Sequence, residues 1–176
     1  MTEPCIRSYI RNRMRRSLRP ATLRGATALL TITAGITSPW ASEERSDSPK
    51  LEIIRDVVYG HKDGMALIYD VIKPPDSNGA AIAYVVSGGW VSRWEPPEER
   101  ASGFKPLLDR GFTVMLVHHG SSPRYTVPEA LEDVRRAVRH IGLAASVYEI
   151  VRERIGVFGG SAGGQLALML ALASHA

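Results

Sequence analysis

A single cysteine, Cys5, occurs among the 176 residues, which excludes an intrachain disulfide framework and any site built from several cysteines. Charged residues make up only 23% of the chain and hydrophobic residues 44%, so the composition is globular rather than disordered or collagen-like. This length allows one domain of ordinary size but not two.

The net charge of +4 does not belong to the body of the chain. Residues 1–24 contain seven arginines and one acid and carry a charge of +6, whereas the other 152 residues carry −2. A nucleic-acid-binding protein needs its basic residues clustered on the folded domain. The charge distribution therefore argues against a nucleic-acid partner.

An apolar stretch of small residues, 25–37, follows the arginines, and Ser38-Pro39-Trp40-Ala41 comes next. A basic segment, a 13-residue apolar segment and a small-residue exit are typical of a secretory signal peptide, which we predict over residues 1–41. We therefore expect a secreted or periplasmic protein. The apolar stretch is too short for a stable membrane span, which takes about 20 residues. An arginine-rich transit peptide and a twin-arginine signal at Arg15-Arg16 remain alternatives.

The body of the chain alternates predicted strands and helices after a polar linker at residues 42–50. Asp63-Gly64 is a hairpin turn signal between two β-rich runs, which we expect to pair antiparallel. Short apolar runs predict further buried strands, and amphipathic or apolar runs predict helices between them. The predicted strands are 51–59, 65–72, 80–86, 112–117 and 154–158, and the predicted helices are 98–110, 126–141 and 162–173.

This alternation predicts an α/β fold with a mainly parallel sheet and helices on both of its faces. The clearest helix is 126–141, because its apolar residues recur at steps of three and four. Thr126 and Glu129 have the spacing of a capping box at its start.

Residues 159–164 read Gly-Gly-Ser-Ala-Gly-Gly and contain the nucleophile-elbow pattern Gly159-x-Ser161-x-Gly163. A predicted strand leads into the pattern and a predicted helix leads out of it, which is the required context. We predict that Ser161 is a nucleophile, that Gly159 and Gly163 avoid crowding at the turn, and that the Ala162 amide faces an oxyanion. A glycine-rich turn that binds phosphate or only packs tightly is the alternative, although no P-loop lysine follows.

A second glycine turn, Ser87-Gly88-Gly89-Trp90, follows the predicted strand 80–86. Backbone amides in such a turn supply the other half of an oxyanion hole in enzymes with this elbow. We therefore predict that Gly88 and Gly89 are donors to the oxyanion. Taken alone, the segment would be explained as a plain loop.

From about Leu51 to His175 the chain resembles the esterase/lipase branch of the α/β-hydrolase superfamily. That branch usually has His-Gly-Gly-Gly-Trp in the oxyanion loop and Gly-x-Ser-Ala-Gly-Gly at the elbow, and residues 124–134 are similar to its Pro-x-Ala-Leu-x-Asp helix. The resemblance implies an α/β-hydrolase fold, a serine nucleophile at Ser161, oxyanion donors at Gly88, Gly89 and Ala162, and neither cofactor nor metal.

The chain departs from the branch at two places near the site. Val86 and Ser87 stand where the branch has histidine and glycine, and His118-His119-Gly120 replaces an aspartate–tyrosine pair. In this superfamily the triad acid and histidine follow the serine. Here 13 residues follow Gly163, and their one ionisable side chain, His175, would lie about 20 Å from Ser161 along a helix.

We expect none of the histidines His61, His118, His119 and His140 to serve as the base, and we place His61 and His140 on the surface.

The last helix is apolar almost all round and strand 154–158 would be an exposed sheet edge, which favours self-association. We therefore interpret residues 51–176 as a partial α/β-hydrolase domain, truncated after the nucleophile helix.

The favoured function is a secreted serine hydrolase that cleaves a small carboxylic ester through an acyl-enzyme on Ser161. The absent acid and base support an alternative, a catalytically inactive remnant that binds a ligand or a partner chain. A peptidase on the same fold is a third hypothesis, because the elbow and triad are shared between the two activities.

Overall fold

The structure is a computed structural model that describes residues 50–173. The predicted signal peptide, residues 42–49 of the linker and His175 lie outside the described residues. The strands are β1 Glu52–Lys62, β2 Met65–Lys73, β3 Ala81–Val85, β4 Thr113–Val117 and β5 Ile155–Gly159. The helices are α1 Pro97–Ala101, α2 Lys105–Leu108, α3 Val127–Ala144 and α4 Ala162–Ala173, with 3-10 turns at Ser102–Phe104, Ala145–Val147 and Arg152–Arg154.

The five strands form one mixed sheet in the order β1-β2-β4-β3-β5. Strand β3 lies between β4 and β5 and runs parallel to both. The β1–β2 pair is antiparallel, as predicted, and β2 is also antiparallel to β4. The site-bearing part of the sheet is therefore parallel, and an antiparallel hairpin extends it on one side.

The hairpin turn between β1 and β2 is at the predicted Asp63-Gly64. Asp63 has φ 46° and Gly64 has φ 79°, so both residues are in the left-handed region that a two-residue type I′ turn requires. Lys62 pairs with Met65 across this turn. The turn residues thus fix the register as far as the Gly60–Leu67 pair, beyond which two irregularities in β1 shift the pairing.

Helices cover both faces of the sheet, as predicted. Successive strand residues point to opposite sides, so the apolar strands present side chains on both faces for helices to cover. Helices α3 and α4 pack on one face, whereas α1 and α2 pack on the other. The first face is built from Ala81, Ala83, Val85, Met115 and Val117 with Val134, Ala137, Ile141 and Leu166. The second is built from Ile72, Val114 and Leu116 with Ala101 and Leu108.

The helix predicted at 98–110 is broken into α1, a 3-10 turn and α2. Pro106 causes the break, since proline has no amide hydrogen and is tolerated only in the first turn of a helix, where it lies in α2. Helix α3 instead runs three residues beyond its predicted end, to Ala144. Its capping box is present, and the Glu129 carboxylate accepts hydrogen bonds from Thr126 that lower the pKa of Glu129.

The surface position predicted for His140 is wrong, although His61 is exposed as expected. His140 is buried on the inner side of α3, and its Nδ1 lies 3.2 Å from the Tyr69 hydroxyl, which is 3.0 Å from the Tyr148 hydroxyl. Burial lowers the pKa of His140. The spacing of apolar residues along the helix does not predict this burial, because His140 packs against the polar hydroxyl of Tyr69 and not in an apolar stripe.

Asp133 on α3 is a buried carboxylate that connects the helix to two segments at one edge of the sheet. Its Oδ2 accepts the Gly120 amide at 3.0 Å, in the segment after β4, and the Lys62 ammonium at 2.9 Å, at the end of β1. Lys62 also lies 4.4 Å from the centre of the Tyr125 ring. One carboxylate thus positions the loop that follows β4.

We expect Asp133→Asn to lower the free energy of unfolding by about 1–3 kcal/mol, because it leaves Lys62 without its negative partner in a mostly buried position. Urea denaturation measures the change. Glu132→Gln is the matched control, since the Glu132–Arg135 pair is at the surface and its loss should cost under about 0.5 kcal/mol. Equal losses in the two variants would contradict the role given to Asp133.

Candidate active site

Three loops meet at one edge of the sheet because β3, β4 and β5 are parallel neighbours. The carboxyl end of β3 leads into Ser87-Gly88-Gly89-Trp90, that of β4 into His118-His119-Gly120, and that of β5 into the elbow at Ser161. Carboxyl ends of parallel strands are the usual place for a binding site in α/β folds. The sequence motifs are therefore brought together at one edge.

Ser161 occupies the turn between β5, which ends at Gly159, and α4, which begins at Ala162. Its φ is 49°, in the left-handed region that residues with a side chain rarely adopt. Ser161 is also exposed. The structure thus has the strand, the strained turn and the helix that the motif requires, with the serine outside the core.

The glycines on either side of Ser161 stand where no side chain fits. A Cβ on Gly159 would lie 2.4 Å from the carbonyl carbon of Gly163, and a Cβ on Gly163 would lie 2.4 Å from the carbonyl oxygen of Val85. The predicted crowding is therefore present, and it extends to β3. The elbow is packed backbone against backbone, which holds Ser161 at a fixed height above the sheet.

The Ala162 amide is at the first position of α4, where helix geometry leaves amides without an acceptor. The next amides are used inside the turn, since Gly163 donates to Gly160 O at 2.9 Å and Gln165 donates to Ser161 O at 3.0 Å. The Ala162 amide makes no hydrogen bond within residues 50–173. It is therefore free to donate to a ligand, in the favourable potential of a helix N-terminus.

The glycine turn after β3 forms a small hairpin of its own, residues 88–91, which we call the oxyanion turn. Gly88 N donates to Val91 O at 3.0 Å and Val91 N donates to Gly88 O at 3.1 Å, while Gly89 and Trp90 have φ 57° and 59°. The role predicted for Gly88 therefore requires that its bond to Val91 first opens. The Gly89 amide has no such partner in the described part of the chain.

The two histidines after β4 are engaged away from Ser161. His118 Nδ1 lies 3.1 Å from Ser92 Oγ, and His119 Nδ1 lies 2.8 Å from Gly120 O. Burial lowers the pKa of His119, so its ring is neutral at neutral pH. Strand β3 separates β4 from β5, which puts their ends about 10 Å apart. Neither imidazole is hydrogen-bonded to the serine.

Asp70 on β2 is a buried carboxylate near the oxyanion turn, and the sequence motifs did not predict its position there. Its Oδ1 accepts the Asp56 amide at 2.7 Å and its Oδ2 accepts the Trp94 indole at 3.0 Å. His118 Nε2 lies 3.7 Å from the same Oδ2. The one available signal was an acid inside the otherwise apolar run 65–72, because a buried carboxylate must have partners.

A cavity of about 380 Å³ lies on the other side of His118 and His119, between residues 65–68 at the start of β2 and the segment 118–125, and neither Ser161 nor the oxyanion turn lines it. Within residues 50–173 there is no group of three His, Cys, Asp or Glu side chains placed to hold a metal ion. None of the helices in the same range is long and apolar enough to cross a bilayer.

A family model described as BD-FAE matches residues 69–176. Ethyl acetate hydrolase of Pseudomonas putida is 29% identical over 131 residues, which are 72% of this chain and 40% of that protein. The probable carboxylic ester hydrolase LipM of Mycobacterium tuberculosis is 29% identical over 123 residues, 66% of this chain and 28% of that protein. The chain thus spans less than half the length of these curated relatives.

Among solved structures, esterase 2 of Thermogutta terrifontis is similar to this chain. Its butyrate-bound form superposes with a TM-score of 0.55 at 26% identity, covering 68% of this chain and 43% of that chain. The same enzyme phosphonylated by sarin also gives a TM-score of 0.55 at 26% identity, with 68% and 44% covered. These similarities confirm the α/β-hydrolase fold that the motifs predicted.

We expect Gly163→Ala to lower the free energy of unfolding by about 2 kcal/mol or more, because the new methyl group meets the Val85 carbonyl oxygen and neither backbone can move freely. Alanine normally stabilises a helix relative to glycine, so the sign of the change is diagnostic. Gly160→Ala is the control, since the nearest atom to its Cβ is the Tyr84 hydroxyl at 3.8 Å. Urea denaturation that ranks Gly160→Ala as the more damaging change would contradict the packing described for the elbow.

Proposed function

The chain belongs to the BD-FAE family, and from that premise we propose that the protein hydrolyses carboxylic esters with Ser161 as the nucleophile. The observation that carries the proposal is the exposed Ser161 in a strained turn between β5 and α4. Two similar proteins are named as an ethyl acetate hydrolase and a probable carboxylic ester hydrolase, and these names support esters as the substrate class. Because this chain spans less than half of those proteins, the activity of the whole protein is our proposal.

The proposed reaction has two acyl-transfer steps. The Ser161 oxygen attacks the ester carbonyl carbon, the carbonyl oxygen becomes an oxyanion, and the serine proton goes by way of a base to the departing alcohol. Water then attacks the acyl-serine ester, which releases the carboxylic acid and restores the hydroxyl. No cofactor or metal takes part in either step.

The oxyanion of each step would be stabilised by backbone amides. The free amide of Ala162 supplies one hydrogen bond, and that of Gly89 supplies the second in our proposal. Gly88 joins them only if its bond to Val91 opens. Such donors are fixed before the reaction, so they stabilise the charge as it develops at little reorganisation cost.

His118 and His119 are not placed to act as the base, because β3 separates the end of β4 from the end of β5 by about 10 Å and neither imidazole is hydrogen-bonded to Ser161. A serine hydroxyl without a base is a poor nucleophile at neutral pH. We therefore propose that the acid and base of the triad lie outside residues 50–173, in the order that the superfamily follows.

Covalent labelling tests the nucleophile directly. We expect a fluorophosphonate to form one adduct, on the peptide that contains Ser161, in the protein expressed from its complete coding sequence, because phosphonates react with activated serines. Esterase 2 of T. terrifontis has been solved phosphonylated by sarin, which supports the choice of probe. Mass spectrometry of the digested protein locates the adduct.

Ser161→Ala should abolish the adduct and lower kcat for a soluble ester by at least about a thousandfold. Ser146→Ala, an exposed serine after α3, is the control and should change neither. An adduct on another serine, or full turnover in Ser161→Ala, would contradict the proposal. No turnover in any form would favour the non-catalytic alternative, and faster cleavage of peptides than of esters would favour the peptidase.

We further propose that the protein is exported from the cytoplasm, on the basis of the predicted signal peptide at residues 1–41. An alkaline phosphatase reporter without its own signal should become active outside the cytoplasm when residues 1–41 precede it. Deletion of the apolar residues 25–37 should abolish that activity. An inactive reporter behind the intact residues 1–41, or equal activity with and without residues 25–37, would contradict export.

A further inference from the structure

The oxyanion turn is not held in place by side-chain packing. A Cβ built on Gly88 or Gly89 would meet no heavy atom within 4 Å, and Trp90 at its tip is 36% exposed. A catalytic amide must nevertheless stay within a few tenths of an ångström of the position from which it donates to the oxyanion, about 3 Å from that oxygen. Contacts on the flanks of the turn must therefore fix its position.

Polar contacts from the segment after β4 reach the far side of the turn. Ser122 N donates to Trp90 O at 3.0 Å, and Ser92 N donates to Ser121 Oγ at 2.9 Å. Ser92 Oγ lies 3.1 Å from His118 Nδ1. The residues that follow the turn are thus hydrogen-bonded to the segment at the end of β4. The backbone of His118 is held in turn by a hydrogen bond from its amide to Ile68 O, at 3.1 Å.

Asp70 is close enough to His118 to favour one tautomer of its ring through charge alone, since His118 Nε2 has no hydrogen-bond partner among residues 50–173. The Asp70 side chain is fully buried, and its Oδ2 lies 3.7 Å from His118 Nε2. A buried carboxylate favours the N–H of a neighbouring imidazole on the side that faces it. The Nε2–H tautomer leaves Nδ1 as an acceptor, so the Ser92 hydroxyl donates to it.

Asp70 also reaches the same segment directly. Its Oδ2 accepts the Trp94 indole N–H at 3.0 Å, two residues beyond Ser92. The segment after the oxyanion turn is thus anchored twice, by β2 through Trp94 and by β4 through His118. Both anchors converge on one buried carboxylate.

We propose that His118, oriented by Asp70, is a positioning residue that holds the oxyanion turn through Ser92. The catalytic meaning of this role rests on the proposed function, in which the turn carries the Gly89 donor. His118 acts through Ser92 and takes no proton from Ser161. Its loss should therefore weaken interactions made in the transition state more than substrate binding.

The kinetic test uses the protein from its complete coding sequence and a soluble ester. Ser92→Ala and His118→Ala should lower kcat by about tenfold, less than the roughly hundredfold loss that removal of an oxyanion donor causes, with KM within about twofold. His118→Asn places a polar atom near the Nδ1 position and should recover part of the loss. Ser102→Ala should behave as the wild type, because Ser102 is exposed and its hydroxyl donates only to Glu99 O.

Two kinetic results would overturn the proposal. An unchanged kcat in both Ser92→Ala and His118→Ala would show that the anchor is not used. A His118→Ala variant as inactive as Ser161→Ala, with Ser92→Ala unaffected, would make His118 the base instead.

Hydrogen exchange measured by NMR reports how stable the oxyanion turn is, whether or not the protein cleaves an ester. The Val91 amide, which bonds to Gly88 O, should exchange about tenfold faster in Ser92→Ala and His118→Ala than in wild type and Ser102→Ala. Faster exchange in a protein that cleaves no ester would support the anchor and refute the proposed function. Unchanged exchange and kcat in a protein that does cleave esters would refute the anchor alone.

Discussion

The close approach of the α4 backbone to β3 and β5 is the constraint on which the rest of the structure depends. Gly163 lies against the Val85 carbonyl and Gly159 lies against Gly163, at distances where a methyl group would overlap a backbone atom. The chain can turn from strand to helix in so little space only with Ser161 at φ 49°. This strain, offset by the surrounding packing, leaves the serine exposed and the Ala162 amide without an internal partner.

Two buried carboxylates organise the remaining loops at the same edge of the sheet. Asp133 fixes the segment after β4 by accepting the Gly120 amide and pairing with Lys62. Asp70 accepts the Trp94 indole N–H, in the segment after the oxyanion turn, and lies beside the His118 ring. A charge in the core is costly unless it is fully paired, so each carboxylate stabilises one arrangement of its partners. The loops are thereby held by polar contacts where apolar packing is thin.

The features that the sequence predicted are those with local causes. The Asp63-Gly64 turn, the capped helix α3 and the elbow at Ser161 each depend on residues a few positions apart, and each is found. The features that it did not predict depend on residues distant in sequence. His140 is buried because it contacts Tyr69, and Asp70 has its partners only when β1, the end of β4 and the segment after the oxyanion turn surround it. The Gly88–Val91 bond likewise follows from the geometry of the turn, which the motif letters do not specify.

A crystal structure of the full protein after reaction with a phosphonate tests the central claim most directly. The phosphonate oxygen mimics the oxyanion, so we expect phosphorus bonded to Ser161 Oγ and that oxygen within about 3.1 Å of the Ala162 and Gly89 amides. Ser161 should keep its positive φ, with Ser92 still bonded to His118. Phosphorus on another residue, or an oxygen that faces neither amide, would contradict the assignment of this edge of the sheet as an ester-cleaving site.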